Sequence, residues 1–264
     1  MLLIKVHTSF INQLTMELMQ ERLDEIADNT RPKSSLILTV TGSGSSIVTI
    51  YEQPIKLNHK RNYKLALLNL ETYYSFPNID TTNNKLNFRK DDSSDWQTIE
   101  ITVGCYEIKA INKEITRQVK SKDIQLFDNL NTLKCELCIN GTFEVDFDIE
   151  DSIRSLLGFN AKVYKKGRHA SENIVNILRT NSILVLTDII EGSYHQGRIE
   201  PIIYSFFPDV SPGEKIIQVP ENLVFAHVTC DTIYRMKTWL TDQDSRELDL
   251  RGEILTVRFV LQEC

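Results

Sequence analysis

Residues 232 to 261 read TIYRMKTWLTDQDSRELDLRGEILTVRFVL, and the alternation within that stretch decides the fold. In Ile254 to Leu261, the residues Leu255, Val257, Phe259 and Leu261 form an apolar face opposite Ile254, Thr256, Arg258 and Val260. In Ile233 to Leu240, the residues Ile233, Arg235, Lys237 and Trp239 take one side, and Tyr234, Met236, Thr238 and Leu240 the other. A period of two carried by β-branched and aromatic residues makes both runs strands. Between them, Thr241 to Glu253 holds three Asp, two Glu, two Arg and one Gly, which predicts a solvated loop. A strand with one apolar face needs a sheet to pair with and a second layer to cover it.

Working outward, the same texture recurs. Tyr63 to Leu70 (YKLALLNL) is largely apolar, as in a buried strand. Leu36 to Thr41 and Ile47 to Tyr51 flank Gly42 to Ser46, whose glycines predict a hairpin turn. Gly42-Ser-Gly44 is no dinucleotide fingerprint, because the third glycine is missing and a strand follows. The polar run Asn78 to Asn87 predicts a long loop, and Trp96 to Val103 another strand. Asp123 to Phe127, Thr132 to Ile139 and Thr142 to Phe147 read as strands, with Asn140-Gly-Thr142 as a hairpin turn. Further strands follow at Ser182 to Ile190, Ile202 to Phe207, Lys215 to Val219 and Leu223 to Val228. Gly192, Gly197, Pro208, Pro212-Gly213 and Pro220 separate them. Two short helices interrupt the pattern. Ile108, Ile111, Ile115 and Val119 share one helical face, and Asp151 to Phe159 offers Asp151 as N-cap and Gly158 as terminator. About fourteen strands predict an all-β fold over residues 34 to 264. The expected form is a jelly-roll-type β-sandwich, one large or two in tandem, with an internal boundary near 160 to 172.

Residues 1 to 33 read as a helical arm. From the N-cap Ser9 to about Asp28, the residues Ile11, Leu14, Leu18 and Ile26 fall on one side, with Met19 and Leu23 beside them. Burying each such side chain fully gains roughly 1.5–3 kcal/mol. Fixing the backbone costs about 1–2 kcal/mol per residue. The arm is therefore expected to order only against a partner surface, which makes Ile11, Leu14, Leu18 and Ile26 candidate assembly contacts.

The chain has 264 residues, is 41% hydrophobic and carries a net charge of −6. That balance opposes nonspecific nucleic-acid binding, and no run is long and apolar enough to span a membrane. Without a signal peptide at its start, the chain is expected to be made in the cytoplasm or nucleus. One basic loop, Lys162 to Arg168, holds Lys162, Lys165, Lys166 and Arg168 without an acid. It is expected to be solvated, with a contact to phosphate or to an acidic partner as its functional reading. The five cysteines, Cys105, Cys135, Cys138, Cys230 and Cys264, form no disulfide framework. Cys135 and Cys138 would need to converge with a group such as His227 to hold zinc, yet residues three apart on a strand face opposite ways. Buried free thiols, with no metal and no cofactor, are the expectation. Nucleophile-elbow, phosphate-loop, zinc-helix and calcium-loop motifs are missing from the sequence. Ser193 and His195 share a turn that supplies no orienting carboxylate, and Asp242, Asp244, Glu247 and Asp249 lack a calcium-ligand pattern.

Several stretches, in order, resemble the jelly-roll minor capsid (penton-type) proteins of Polinton/Maverick elements and the related adintoviruses. They include Tyr63 to Ile79, Ile99 to Ile108, Asp151 to Phe159, Asn173 to Ile177, Gly192 to Tyr194, Val210 to Ile216 and Asp249 to Phe259. The resemblance spans about residues 36 to 262 and leaves out the arm. It implies a non-enzymatic shell protein of the virion that forms a homo-oligomer, by analogy a pentamer, at vertices beside a major capsid protein. It carries over no catalytic residues. Other readings of the same residues are a fibre-head or lectin-like attachment module, a capsid-derived host protein, or an enzyme with a site assembled from distant residues.

Overall fold

A computed structural model describes residues 16, 18–20, 22–23, 34–177 and 179–264. The chain opens with β1 (Ser35–Ser43), β2 (Ser46–Lys56) and β3 (Tyr63–Tyr73). It continues through β4 (Lys85–Arg89), β5 (Gln97–Glu100), helix α1 (Ile108–Val119), β6 (Ile124–Asn129), β7 (Lys134–Ile139) and β8 (Glu144–Asp146). Next come helix α2 (Arg154–Leu157), β9 (Val163–Tyr164), β10 (Gly167–Ala170) and β11 (Ile183–Thr187). The small hairpin β12 (Ser193–His195) and β13 (Arg198–Glu200) precedes β14 (Ile202–Phe206). Last are β15 (Lys215–Gln218), β16 (Ala226–His227), β17 (Thr232–Thr241) and β18 (Ile254–Glu263).

Four antiparallel pairs are nested in sequence: β1 with β18, β2 with β17, β3 with β15, and β11 with β14. Rolled up, they form two sheets, ordered β1-β18-β3-β15 and β14-β11-β17-β2. This nesting in two facing sheets is an eight-stranded jelly roll. Its core takes the inward faces of both sheets, including Val40, Leu65, Leu70, Val185, Met236 and Phe259. The quoted C-terminal strand is central to it. β18 lies between β1 and β3, and Leu255, Val257, Phe259 and Leu261 are all buried.

A second core is inserted between β3 and β11. Sheets β5-β4-β8-β9 and β10-β7-β6 surround it, and α1 packs on β6. Ile111, Ile115, Ile124, Leu137 and Phe147 are fully buried there. Phe147 stacks on Phe159 at 5.1 Å, with Tyr164 edge-on to both. The sequence left one large sandwich or two in tandem open; the structure nests the second unit inside the first. The stretch 160 to 172 runs within the inserted unit, where Tyr164 belongs to its core.

Several local expectations are corrected. Gly42 to Ser46 is no hairpin turn, because β1 pairs with β18 and β2 with β17 in the opposite sheet. Gly44, at φ 87, lets the chain cross between layers instead. Asn140-Gly-Thr142 likewise carries the chain from the β7 sheet to the β8 sheet. Asp151 is not an N-cap: its own φ is 55, Ile153 takes that position, and Asp151 pairs with Lys85 at 2.8 Å. The polar run Asn78 to Asn87 is only partly loop. Asn83 and Asn84 are buried, and Asn84 donates to the Ile101 carbonyl at 3.1 Å. Strand β17 changes face at a bulge between Ile233 and Arg235, so Ile233 joins Met236, Thr238 and Leu240 inside while Tyr234 is exposed. The loop after β17 is not wholly solvated. Leu248 and Leu250 enter the core, and the buried Asp242 accepts bonds from the Asp244 and Arg246 amides and from Arg246 Nε.

Phe259 is fully buried at the centre of the roll. Phe259→Ala is expected to cost about 3–5 kcal/mol, read as a shift in the denaturation midpoint at unchanged slope. A cost well under 1 kcal/mol would place that face outside the core.

Candidate assembly surface

The two ends of the inserted unit are held together at Asn78. Its Nδ2 donates to the Tyr106 carbonyl at 2.8 Å and to the Ile177 carbonyl at 3.1 Å, and its Oδ1 accepts from the Tyr106 amide at 2.9 Å. One amide therefore ties the start of the insert to the base of α1 and to the insert's exit. Arg179 adds an ion pair with Asp80 at the same junction. Removing the amide leaves two carbonyls and an amide without this partner. Asn78→Ala is therefore expected to destabilise the protein by about 1–3 kcal/mol. Thermal denaturation measures this, and an unchanged midpoint would show that the junction is held elsewhere.

Beside this junction a groove of about 690 Å³ opens between α1, the β6–β7 turn and the stretch leaving the insert. Ile108, Leu130, Leu133, Ile174, Val175 and Ile177 give it an aliphatic lining, with Lys109, Asp128 and Lys134 among its polar residues. Leu130 is 78% exposed, Leu133 63% and Ile174 62%. The Val175 amide donates to the Leu133 carbonyl at 2.9 Å, which fixes the two walls against each other. Leu133 also has φ 56, a left-handed conformation that costs a residue with a side chain about 1–2 kcal/mol. A turn of this kind ordinarily takes Gly or Asn. Here it takes a leucine and presents it to solvent. These exposed aliphatic side chains, gathered from separate stretches, make the groove a candidate contact surface. The sequence carried one signal for it, two leucines in the turn Asn129-Leu-Asn-Thr-Leu133.

Of the four residues expected to make assembly contacts, Leu18 is in helix and 56% exposed. Ile11, Leu14 and Ile26 lie outside the described residues. The neighbouring arm residues Met16, Met19 and Leu23 are also helical and more than half exposed.

Three of the four cations of the basic loop pair with the chain's own acids. Lys162 pairs with Glu172 at 2.6 Å, Lys165 with Glu144 at 2.7 Å, and Arg168 with Glu136. Lys165 and Lys166 line a cleft of about 440 Å³ with Asp91, Asp92 and Glu144. A second polar cleft, about 360 Å³, includes Arg179, Asp244 and Arg246. There Arg246 pairs with Asp242 and Asp244, at 2.9 Å and 2.5 Å. Burial opposes ionisation of Glu172, yet hydrogen bonds from Lys162, the Asn160 amide and the Tyr164 hydroxyl hold its carboxyl at about 2. A carboxylate whose folded pKa is depressed stabilises the fold above its unfolded pKa and loses that contribution as pH falls through the folded value. The loss therefore falls between about pH 4.5 and 2. Glu172→Gln is expected to flatten that part of the stability-against-pH curve, measured by denaturant unfolding. An unchanged curve would exclude Glu172 as its source.

Cys135 and Cys138 lie on opposite faces of β7, as the strand reading requires, and burial with Asp128 and Glu136 nearby pushes the Cys135 thiol up to about 12. Among the described residues no His, Cys, Asp and Glu side chains cluster in a way that could hold a metal ion. Ser193 and His195 are bonded apart. Ser193 Oγ donates to the Ile202 carbonyl at 2.8 Å, and His195 Nε2 lies 3.0 Å from the Gln243 carbonyl. Among the described residues no helix is long and apolar enough to cross a membrane.

No protein-family model and no curated protein matches the chain. Among solved structures it is similar to the penton protein of mavirus, with a TM-score of 0.46 and 10% identity over 88% of this chain and 100% of that one. The D2–D3 domains of the flagellar cap protein FliD from Escherichia coli give a TM-score of 0.22 and 13% identity, over 78% of this chain and 100% of that one.

Proposed function

We propose that the chain is a structural shell protein, a penton-type minor capsid protein that assembles with copies of itself at the vertices of an icosahedral particle. The observation that carries this reading is apolar side chains held in water at two separate places on one chain, the arm and the inserted unit. Leu18, Met19 and Leu23 on the arm and Leu130, Leu133 and Ile174 at the groove are all more than half exposed. Keeping aliphatic surface in water costs about 25 cal/mol per Å² relative to covering it, and assembly removes that cost. The co-linear resemblance to penton-type proteins supplies the kind of assembly. In the two polar clefts Lys165 pairs with Glu144, and Arg246 with Asp242 and Asp244, which suits a structural role. In this reading the protein acts in the virion beside a larger major capsid protein, without cofactor or catalysis. The groove's aliphatic lining does not favour the attachment-module alternative, for which an aromatic-lined pocket would be expected.

Light scattering on the full chain is expected to give a ring with a mass about five times the 30.5 kDa of one chain. Deleting residues 1 to 33 is expected to leave folded monomers. Co-expression with a double jelly-roll major capsid protein should place the chain at the vertices of the resulting particles. A chain that stays monomeric and is excluded from such particles would overturn the reading.

A further inference from the structure

Asn140-Gly141 is the one Asn-Gly step in the sequence. It sits where the inserted unit crosses from the β7 sheet to the β8 sheet. Asn140, Gly141 and Thr142 are all exposed. The crossing is pinned on both sides: the Asn140 amide donates to the Asp123 carbonyl at 2.8 Å, and Thr142 Oγ1 to the Lys90 carbonyl at 2.7 Å. Between those bonds little is held. The Asn140 side chain has one polar contact among the described residues, from the Cys138 thiol at 4.0 Å, and the Gly141 amide donates to none of them. Gly141 has φ 62, and no atom but a Phe143 ring carbon lies within 4.0 Å of where a Cβ would be. Asparagines elsewhere are tied down. Asn78, Asn83, Asn84 and Asn129 each donate from the side-chain amide. At Asn181-Ser182 the following amide is engaged, donating to Gln243 Oε1 at 3.5 Å.

We propose that Asn140 is a site of spontaneous covalent modification, in which the Gly141 backbone nitrogen closes on the Asn140 side chain. The nitrogen loses its proton to hydroxide and attacks Cγ. A new N–C bond forms, and the side-chain nitrogen takes up a proton and leaves as ammonia. Water then opens the five-membered imide at either carbonyl, giving aspartate or isoaspartate. One water is consumed and one ammonia released, with no oxidant and no enzyme. Glycine suits the step because no Cβ crowds its nitrogen, and asparagine is a thermally labile residue. The two products act differently on the fold. Aspartate leaves the main chain as it was and adds one negative charge at an exposed position. Isoaspartate routes the main chain through Cβ, which lengthens the crossing by one carbon between its bonds to Asp123 and Lys90, so that one of them must give. The inference is independent of the shell reading.

The test incubates the folded full chain at neutral and mildly alkaline pH and maps its peptides by mass spectrometry, with the two isomers separated. Conversion is expected to concentrate at Asn140 and to quicken as pH rises, because the attacking nitrogen must be deprotonated. Ion exchange should show a more acidic species growing in the parent and lost in Asn140→Gln, whose longer side chain closes a less favoured ring. Asn140 that stays intact in the folded chain, or conversion that comes first at another asparagine, would overturn the proposal. The chain unfolded in guanidinium chloride then shows whether the fold or the sequence protects it. The purified isoaspartate form is expected to melt below the parent, and Asn140→Asp to melt with it. An isoaspartate form that melts with the parent would overturn the predicted effect on the crossing.

Discussion

Everything in the jelly roll depends on β18 reaching the space between β1 and β3. Its hydrogen bonds run along both edges, to Leu36 through Ser43 on one side and to Tyr63 through Glu71 on the other. Its inward side chains fill the middle of the core. β18 is the last strand of the roll and pairs with its first, so this sheet is incomplete until both are present. Loop-closure entropy rises only slowly with length, but it must be met before distant contacts repay it. Nesting eases this. Once β11 and β14 pair, β3 and β15 are brought close, then β2 and β17, and last β1 and β18.

The inserted unit fits the same logic. It leaves the roll after β3 and returns before β11, a connection whose two ends are close in the folded roll. Asn78 fastens both ends with one side chain. A hundred residues with a core of their own can occupy such a connection without disturbing the nested pairs. The insertion also carries the groove, whose lining lies wholly within it, from Ile108 on α1 to Ile177 near the insert's end.

Strand content was legible because alternation is a local signal: β18, β3, β7 and α1 all follow from residue spacing. Connectivity was not. Gly42 to Ser46 and Asn140 to Thr142 announce a change of direction, but a chain returning beside itself and a chain crossing to the facing sheet use the same turn residues. Bulges hid in the same way. In YKLALLNL the register shifts between Leu67 and Asn69, so Leu65, Leu67 and Leu70 all face inward, and simple alternation misses this. Polarity misled at Asn84 and Asp242, where buried polar side chains satisfy backbone groups of neighbouring segments that sequence order does not bring together. The groove was the least legible feature, since its lining comes from three separated stretches and only the two turn leucines hint at it.

The sheet edges bear on how such a molecule can associate without aggregating. An exposed strand edge can pair with almost any other strand. Strands β14 and β15 are short edges, and β2 is broken where Tyr51 to Pro54 bulge out opposite Tyr234. A proline in that bulge further blunts the edge. Strand β1 differs: it pairs regularly over nine residues and exposes Leu36 and Ile37. It is also the edge from which the arm emerges. An edge that long and regular offers another strand the most backbone to pair with, and it lacks the bulge and proline that blunt β2.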